Sequence, residues 1–221
     1  MPAFYAHYRF GREMLRHLPP ETRALCEQHR DLFDIGLHGP DIFFFYHPLK
    51  KNPVSEYGHQ CHGRSGREFL SAAEAVITAA EDKDAARAYF CGFLCHLALD
   101  SVCHPGVYEA QRYTGASHIG IETALDRALL LSDGIEPLAH DPCGHFHITK
   151  KNAGIIAAFF PPHTPAVVEK SLRAMVLFGR ILYCGKPVIR KPVEILLRIT
   201  GHYDSLSPML MTAKPDPRCR E

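Results

Sequence analysis

Apolar residues recur along the chain at three- and four-residue spacing, interrupted by short breaks rich in Pro and Gly, and no stretch alternates strictly between apolar and polar. That periodicity is the mark of amphipathic helices. Residues 4–17 interleave aromatic, small and basic groups at helical spacing, and Pro19-Pro20 end them. Residues 21–33 read as a second helix and 66–80 as a third. Asp82 to Val102 is Ala-rich and apolar on most sides, which predicts a central buried helix stopped by Pro105. Ser117 is a suitable N-cap for a helix over 117–131. Residues 133–147 read as a loop, 148–160 and 165–183 as helices parted by Pro161-Pro162, and 192–200 as a last helical stretch before a Pro-rich, frayed tail from 203.

The class expected is therefore all-α. A single multi-helix domain would have its core in residues 1–135, with 136–221 as a helical extension packed on it. One segment departs from the pattern. Residues 36–66 (GLHGPDIFFFYHPLKKNPVSEYGHQCHGRSG) are rich in Gly, Pro, Asn and His and contain a burst of aromatics. They read as a long irregular loop, and such a loop inside a compact domain is usually functional.

Composition narrows the chemistry. Lys+Arg is 25 and Asp+Glu is 24 in 221 residues, so overall charge argues for neither a nucleic-acid groove nor an anionic surface. Trp is absent. The N-terminal MPAFYAHYRFGREML lacks a basic stretch followed by an apolar one, and no apolar run reaches the ~18 residues of a membrane span. The expectation is a cytoplasmic chain with no transmembrane segment, whose eight cysteines are mostly reduced. Cys91 and Cys95 lack the spacing of a zinc finger and read as small buried residues. Histidine is the outlier, with 15 residues and no poly-His tract, which points to coordination chemistry.

Within FLCHLALDSVCHP, His96 and Asp100 stand at i and i+4 on one helical face, where a helix presents two ligands to one ion. His104 lies two turns beyond His96, within reach of a neighbouring ion, and Asp100 between them is placed to bridge. His118 and Glu122 in SHIGIETALD repeat the spacing on the next helix. Alone, His96 and Asp100 read equally well as a buried hydrogen-bonded pair, and His118 and Glu122 as a surface pair at a helix start, where the dipole favours Glu. Two such pairs on successive helices, with a third His between, favour a metal cluster. Asp41 in the turn Gly39-Pro40-Asp41, His59 and His62 in GHQCHG, and His7 on the first helix are further candidate ligands, each also readable as an ordinary turn, loop or helix residue. Phe43, Phe44, Phe45 and Tyr46 follow Asp41. They read first as core, and Phe45 and Tyr46 otherwise as the apolar entry for a substrate.

Taken in order, His7, Gly39-Pro40-Asp41, a loop His, His96-x3-Asp100-x3-His104-Pro105 and His118-x3-Glu122 resemble the zinc-dependent phospholipase C family over residues 1 to about 130. The resemblance implies an all-helical fold and a cluster of two or three zinc ions. One ion would be held by Asp41, His62 or His59, His96 and Asp100. A second would be held by His104, His118 and Glu122, and a third by His7 with Asp100 bridging. It further implies that Asp41 takes a proton from the attacking water and that the substrate is a phosphodiester or a phospholipid-like small molecule. Secreted members use an N-terminal Trp as a ligand, whereas this chain opens Met1-Pro2.

Three other readings compete. His140-Asp141 is the adjacent pair of another helical phosphohydrolase class, but it falls in a loop. Glu56-x-x-His59 is the sole Glu-x-x-His of the kind a di-iron bundle needs on two helices. A non-catalytic helical protein with a structural or sensory metal is the remaining alternative, since fold does not settle function.

Overall fold

A computed structural model describes residues 4–63 and 66–219. They form α1 (Phe4–His17), α2 (Pro20–Gln28), α3 (Arg30–Gly36), a 3-10 helix (Gly39–Phe45), α4 (Pro53–Gly63), α5 (Gly66–Ala79), α6 (Lys83–Thr114), α7 (His118–Ser132), α8 (Lys150–Ala158), α9 (Pro165–Tyr183), α10 (Pro187–Ile199) and α11 (Tyr203–Leu206). Two 3-10 turns, Ser207–Met209 and Pro217–Cys219, complete the set. No strand occurs among the described residues, so the chain is all-α. No disulfide joins any of the cysteines.

Four boundaries differ from the sequence reading. The helix expected over 21–33 breaks at His29, whose φ of −111° and ψ of 44° leave the helical region. About a third of the supposed loop is α4, because the Asn52 side chain accepts the N–H groups of Val54 (3.1 Å) and Ser55 (3.0 Å) and Pro53 fills the first helical position. α6 does not stop at Pro105 but runs nine residues further, to Thr114. Pro105 lies on its exposed side, where losing one N–H costs least. The tail past 203 is packed: Leu210 and Met211 are buried, and the Met211 N–H donates to the Leu182 carbonyl at 2.9 Å. α7 begins as expected, with the Ser117 hydroxyl accepting the Gly120 N–H.

α6 is also less buried than expected. Its first half contributes Ala85, Ala88, Tyr89, Phe93 and His96 to the core, while Val102, Tyr108 and Tyr113 in its second half are exposed. By length and composition it is apolar enough to cross a membrane, contrary to the sequence expectation, although those core residues pack against other helices.

The chain divides into two compact units, each discontinuous in sequence. One comprises His7–Leu99 and His145–Val176. Its centre holds Leu15, Cys26, Phe33, Leu37 and Cys95, beside an aromatic cluster in which Phe69 stacks on Phe93 at 3.8 Å and Tyr89 meets Phe159 at 5.1 Å. Here α3 crosses α6 with backbone against backbone. A Cβ on Gly92 would overlap the Phe33 carbonyl, and one on Gly36 would overlap the Tyr89 carbonyl. Only glycine permits an approach this close. The same unit buries Asp34, whose carboxylate accepts from Arg30 Nε at 2.6 Å.

The other unit comprises the chain up to Ala6, Asp100–Gly144 and the stretch from Leu177 onward. Its core includes Phe4, Leu130, Leu182, Tyr183 and Met211. Asp126 of α7 is fully buried there. One carboxylate oxygen accepts the Tyr5 N–H (2.9 Å) and the Tyr183 hydroxyl, and the other accepts the Ala6 N–H (2.8 Å). These are first-turn N–H groups of α1, which the helix itself leaves without acceptors.

Gly92→Ala is expected to destabilise the protein by about 1–3 kcal/mol, because two backbones must part to admit one methyl. Thermal unfolding should show a Tm lowered by ~2–4 °C per kcal/mol. An unchanged Tm would show that the crossing relaxes without cost.

Burial pushes the Asp34 carboxyl from 3.8 up to about 6, with Arg30 opposing that rise. An acid with a raised folded pKa binds its proton more tightly when folded, so its contribution is lost as pH rises. It costs nothing below about pH 4, grows through pH 6 and reaches roughly 3 kcal/mol at pH 7. Asp34→Asn, which keeps an oxygen for Arg30, is therefore expected to be more stable than wild type at about pH 7 and equal to it near pH 4. Parallel denaturant titrations at the two pH values check this, and a gap that does not narrow on acidification would refute it.

Candidate metal centre

Within each unit, one group of side chains among the described residues has ligand atoms close enough to share a metal. The first contains Asp41, His62 and His96, whose ligand atoms all lie within 4.8 Å of one another. Asp41 sits in the 3-10 helix that leaves α3 through Gly39, where φ is +46°. A Cβ on Gly39 would overlap the His96 ring and lie 2.8 Å from its Nε2. The absence of that atom lets the turn lie flat on His96. His62 comes from the last turn of α4. Its Nδ1 lies 2.8 Å from the Gly58 carbonyl, an acceptor only, so Nδ1 carries the proton and donates. Nε2 is left to face Asp41 Oδ1 at 2.8 Å. Two lone pairs cannot meet at that distance, so a proton or a metal cation belongs between them.

The electrostatics agree. Burial alone would raise the Asp41 carboxyl, but the hydrogen bond and charge of His62, with His96 behind it, hold it well below the usual carboxylate range. Burial lowers His62, and the Asp41 hydrogen bond more than reverses this, leaving it raised. His7, on α1, is buried and stacks on His96 with ring centroids 4.6 Å apart.

The second group contains His104 of α6 with His118 and Glu122 of α7. His118 Nε2 lies 3.0 Å from Glu122 Oε1. His104 Nε2 lies 3.6 Å from that oxygen and 3.7 Å from Asp100 Oδ1, too far for hydrogen bonds. Glu122 Oε2 and His104 Nε2 are both buried with no hydrogen-bond partner. Unsatisfied polar atoms in such a place are costly unless an ion serves them. Burial opposes ionisation of Glu122, but the two imidazoles pull its pKa down to about 2, so it is a carboxylate ready for a cation. His104 in turn is raised by Glu122. The half-exposed ring of Tyr108 lies 5.9 Å from His104 and 5.2 Å from His118.

Of the ligands expected from sequence, Asp41, His62 and His96 converge, as do His104, His118 and Glu122. Asp100 reaches the neighbourhood of His104, and His7 lies against His96. His59 does not join them: it is exposed on α4 with its ring 4.6 Å from Phe44. Phe45 is 4% exposed and packs as core, leaving no surface for a substrate, while Tyr46 is half-buried with Lys170 Nζ 5.1 Å from its ring. His140-Asp141 is structural, since Asp141 is paired with Arg180 at 2.9 Å.

Sequence reasoning misses His38 and takes His145 for an ordinary loop residue. His38 is buried, with its Nε2 2.9 Å from His145 Nε2, and His145 stacks on Tyr8 at 4.2 Å. Burial, with His145 and His7 nearby, pushes the His38 pKa well down, so His38 is neutral. The available signal is the position of His38, just ahead of the Gly39-Pro40-Asp41 turn. Asp126 is missed too, although it continues the His118, Glu122 spacing by one more turn.

The ligand types suit zinc: imidazole nitrogens and carboxylates, with the buried Glu122 Oε2 and His104 Nε2 left unsatisfied without an ion. No curated protein and no solved structure matches the chain. Residues 6–160 match the family described as zinc dependent phospholipase C, covering every residue of both groups. The chain belongs to the zinc-dependent phospholipase C family.

Proposed function

We propose that this protein is a zinc-dependent phosphoesterase that hydrolyses a phosphodiester in the manner of a phospholipase C. The observation that carries the reading is the second ligand group. His104, His118 and Glu122 supply three protein ligands, the number with which a catalytic zinc keeps one position open, whereas structural sites close all four. When bound, zinc supplies Lewis acidity and lowers the pKa of coordinated water towards ~7.

The chain's own residues divide the remaining work. Asp41 is ionised, buried and hydrogen-bonded on one oxygen, which leaves its carboxylate able to take a proton from an attacking water. His62 is fixed in one tautomer by Gly58, so its ring holds Asp41 in place. The Gly39 turn and the stacked His7 hold His96 in orientation. Tyr108 offers an exposed aromatic face beside His104 and His118, suited to the apolar or cationic part of a head group.

Metal content by plasma mass spectrometry and hydrolysis of a chromogenic phosphocholine diester test the reading together. The wild-type chain is expected to hold two or three zinc ions and to turn over the diester. His118→Ala should lose about one ion, because removing one ligand of three leaves too few to retain it. With zinc resupplied, Asp41→Asn should stay slower by about a hundredfold or more in kcat. Full zinc occupancy without turnover of any phosphodiester would instead establish a structural metal, and unchanged metal content in His118→Ala would remove the site assignment.

A further inference from the structure

α10 lies beyond the residues that match the family, and it carries an apolar face with no cover. Val188, Pro192, Ile195 and Ile199 fall at i, i+4, i+7 and i+11, one stripe of the helix, with Ile189 and Leu196 widening it. All six are exposed, Val188 by 77% and Ile199 by 78%. Leu197 is buried in the opposite direction, so the helix is anchored to its own unit by one side and open on the other. A soluble protein rarely leaves a stripe this long uncovered unless something docks there.

The charges around the stripe identify the occupant. Lys186, Lys191 and Arg198 are exposed, and the Arg198 guanidinium lies 3.7 Å from the Tyr203 ring centroid. Glu194, the helix's one acid, is paired with Arg190 at 2.9 Å and is half-buried. The open side of α10 is thus apolar, with Lys191 and Arg198 along one edge, Lys186 at its start and its one acid already paired. Two copies packed through it would bring like charges together without a counter-charge. An anionic lipid surface supplies both missing partners, hydrocarbon for the stripe and phosphate for the cations. At 13 residues the helix is too short to span a bilayer, which needs about 20. Pro192 also offers no N–H to the Val188 carbonyl, which suits an interfacial depth where water reaches the backbone.

We propose that α10 is an interfacial docking helix that seats the protein on anionic phospholipid membranes. The choice of a lipid surface rests on the phospholipase reading above, but docking is measured without turnover, so either can fail alone. The test is co-sedimentation of the full-length chain with vesicles of phosphatidylcholine alone or with roughly 30% phosphatidylglycerol. Partitioning onto the anionic vesicles should exceed that onto neutral ones by about tenfold or more and should fall with added salt. Ile195→Ser/Ile199→Ser should lose about tenfold or more of it, and Lys186→Glu/Lys191→Glu should abolish the preference for anionic lipid. All four positions are exposed, so Tm and zinc content should not change. No binding of the wild type to either vesicle would overturn the proposal, as would equal binding by the serine variant. Sedimentation velocity supplies the remaining outcome: a wild-type dimer made monomeric by the serine substitutions, with vesicle binding unaltered, would reassign the face to self-association.

Discussion

The contact between α3 and α6 at Gly36 and Gly92 is the constraint on which the first ligand group depends. Two helices at this separation have no side chain between them, so their relative position is set by backbone atoms, which do not re-pack. The chain leaves α3 at Gly36, shortly before Asp41, and His96 lies one turn beyond Gly92 on α6. The crossing therefore fixes where the Gly39 turn begins and where His96 stands. Gly39 completes the fit by removing the one atom that would hold the turn off the imidazole. Three glycines, none of which has any chemistry, bring a carboxylate to a histidine 55 positions away in the sequence.

Buried carboxylates are the second constraint, and the structure resolves each differently. Asp126 is met by two backbone N–H groups and a hydroxyl, fixed donors that hold the start of α1. Asp34 is met by the Arg30 guanidinium and remains costly at neutral pH. Glu122 is met on one oxygen by His118 and has the other left over. An acidic side chain, repeated after four residues along α7, is thus structural at Asp126 and available at Glu122. The difference lies in the partners: imidazole nitrogens can turn their lone pairs to a cation, whereas backbone N–H groups cannot.

What was legible in the sequence follows from distance along the chain. The meeting of His118 with Glu122 could be read because i, i+4 spacing on a helix is local geometry, and the all-α class because its periodicity is local too. The choice between His59 and His62 could not be made while residues 53–63 read as a loop. Asn52 and Pro53 make them helical, and a helix sends those two side chains in different directions. Pro105 misled because proline's penalty depends on whether its position faces water. His38 and His145 could not be paired, since their meeting depends on tertiary packing across 107 residues.

Composition is a coarse guide at the other end of the chain as well. A formal net charge of +1 argues against attraction to an anionic surface only if charge is evenly spread. Screening confines a surface charge to about 8–10 Å, so a membrane senses the face presented to it and not the whole molecule. On α10 the acid is paired with Arg190 while the remaining cations border exposed apolar residues. Local arrangement therefore outweighs the whole-chain balance.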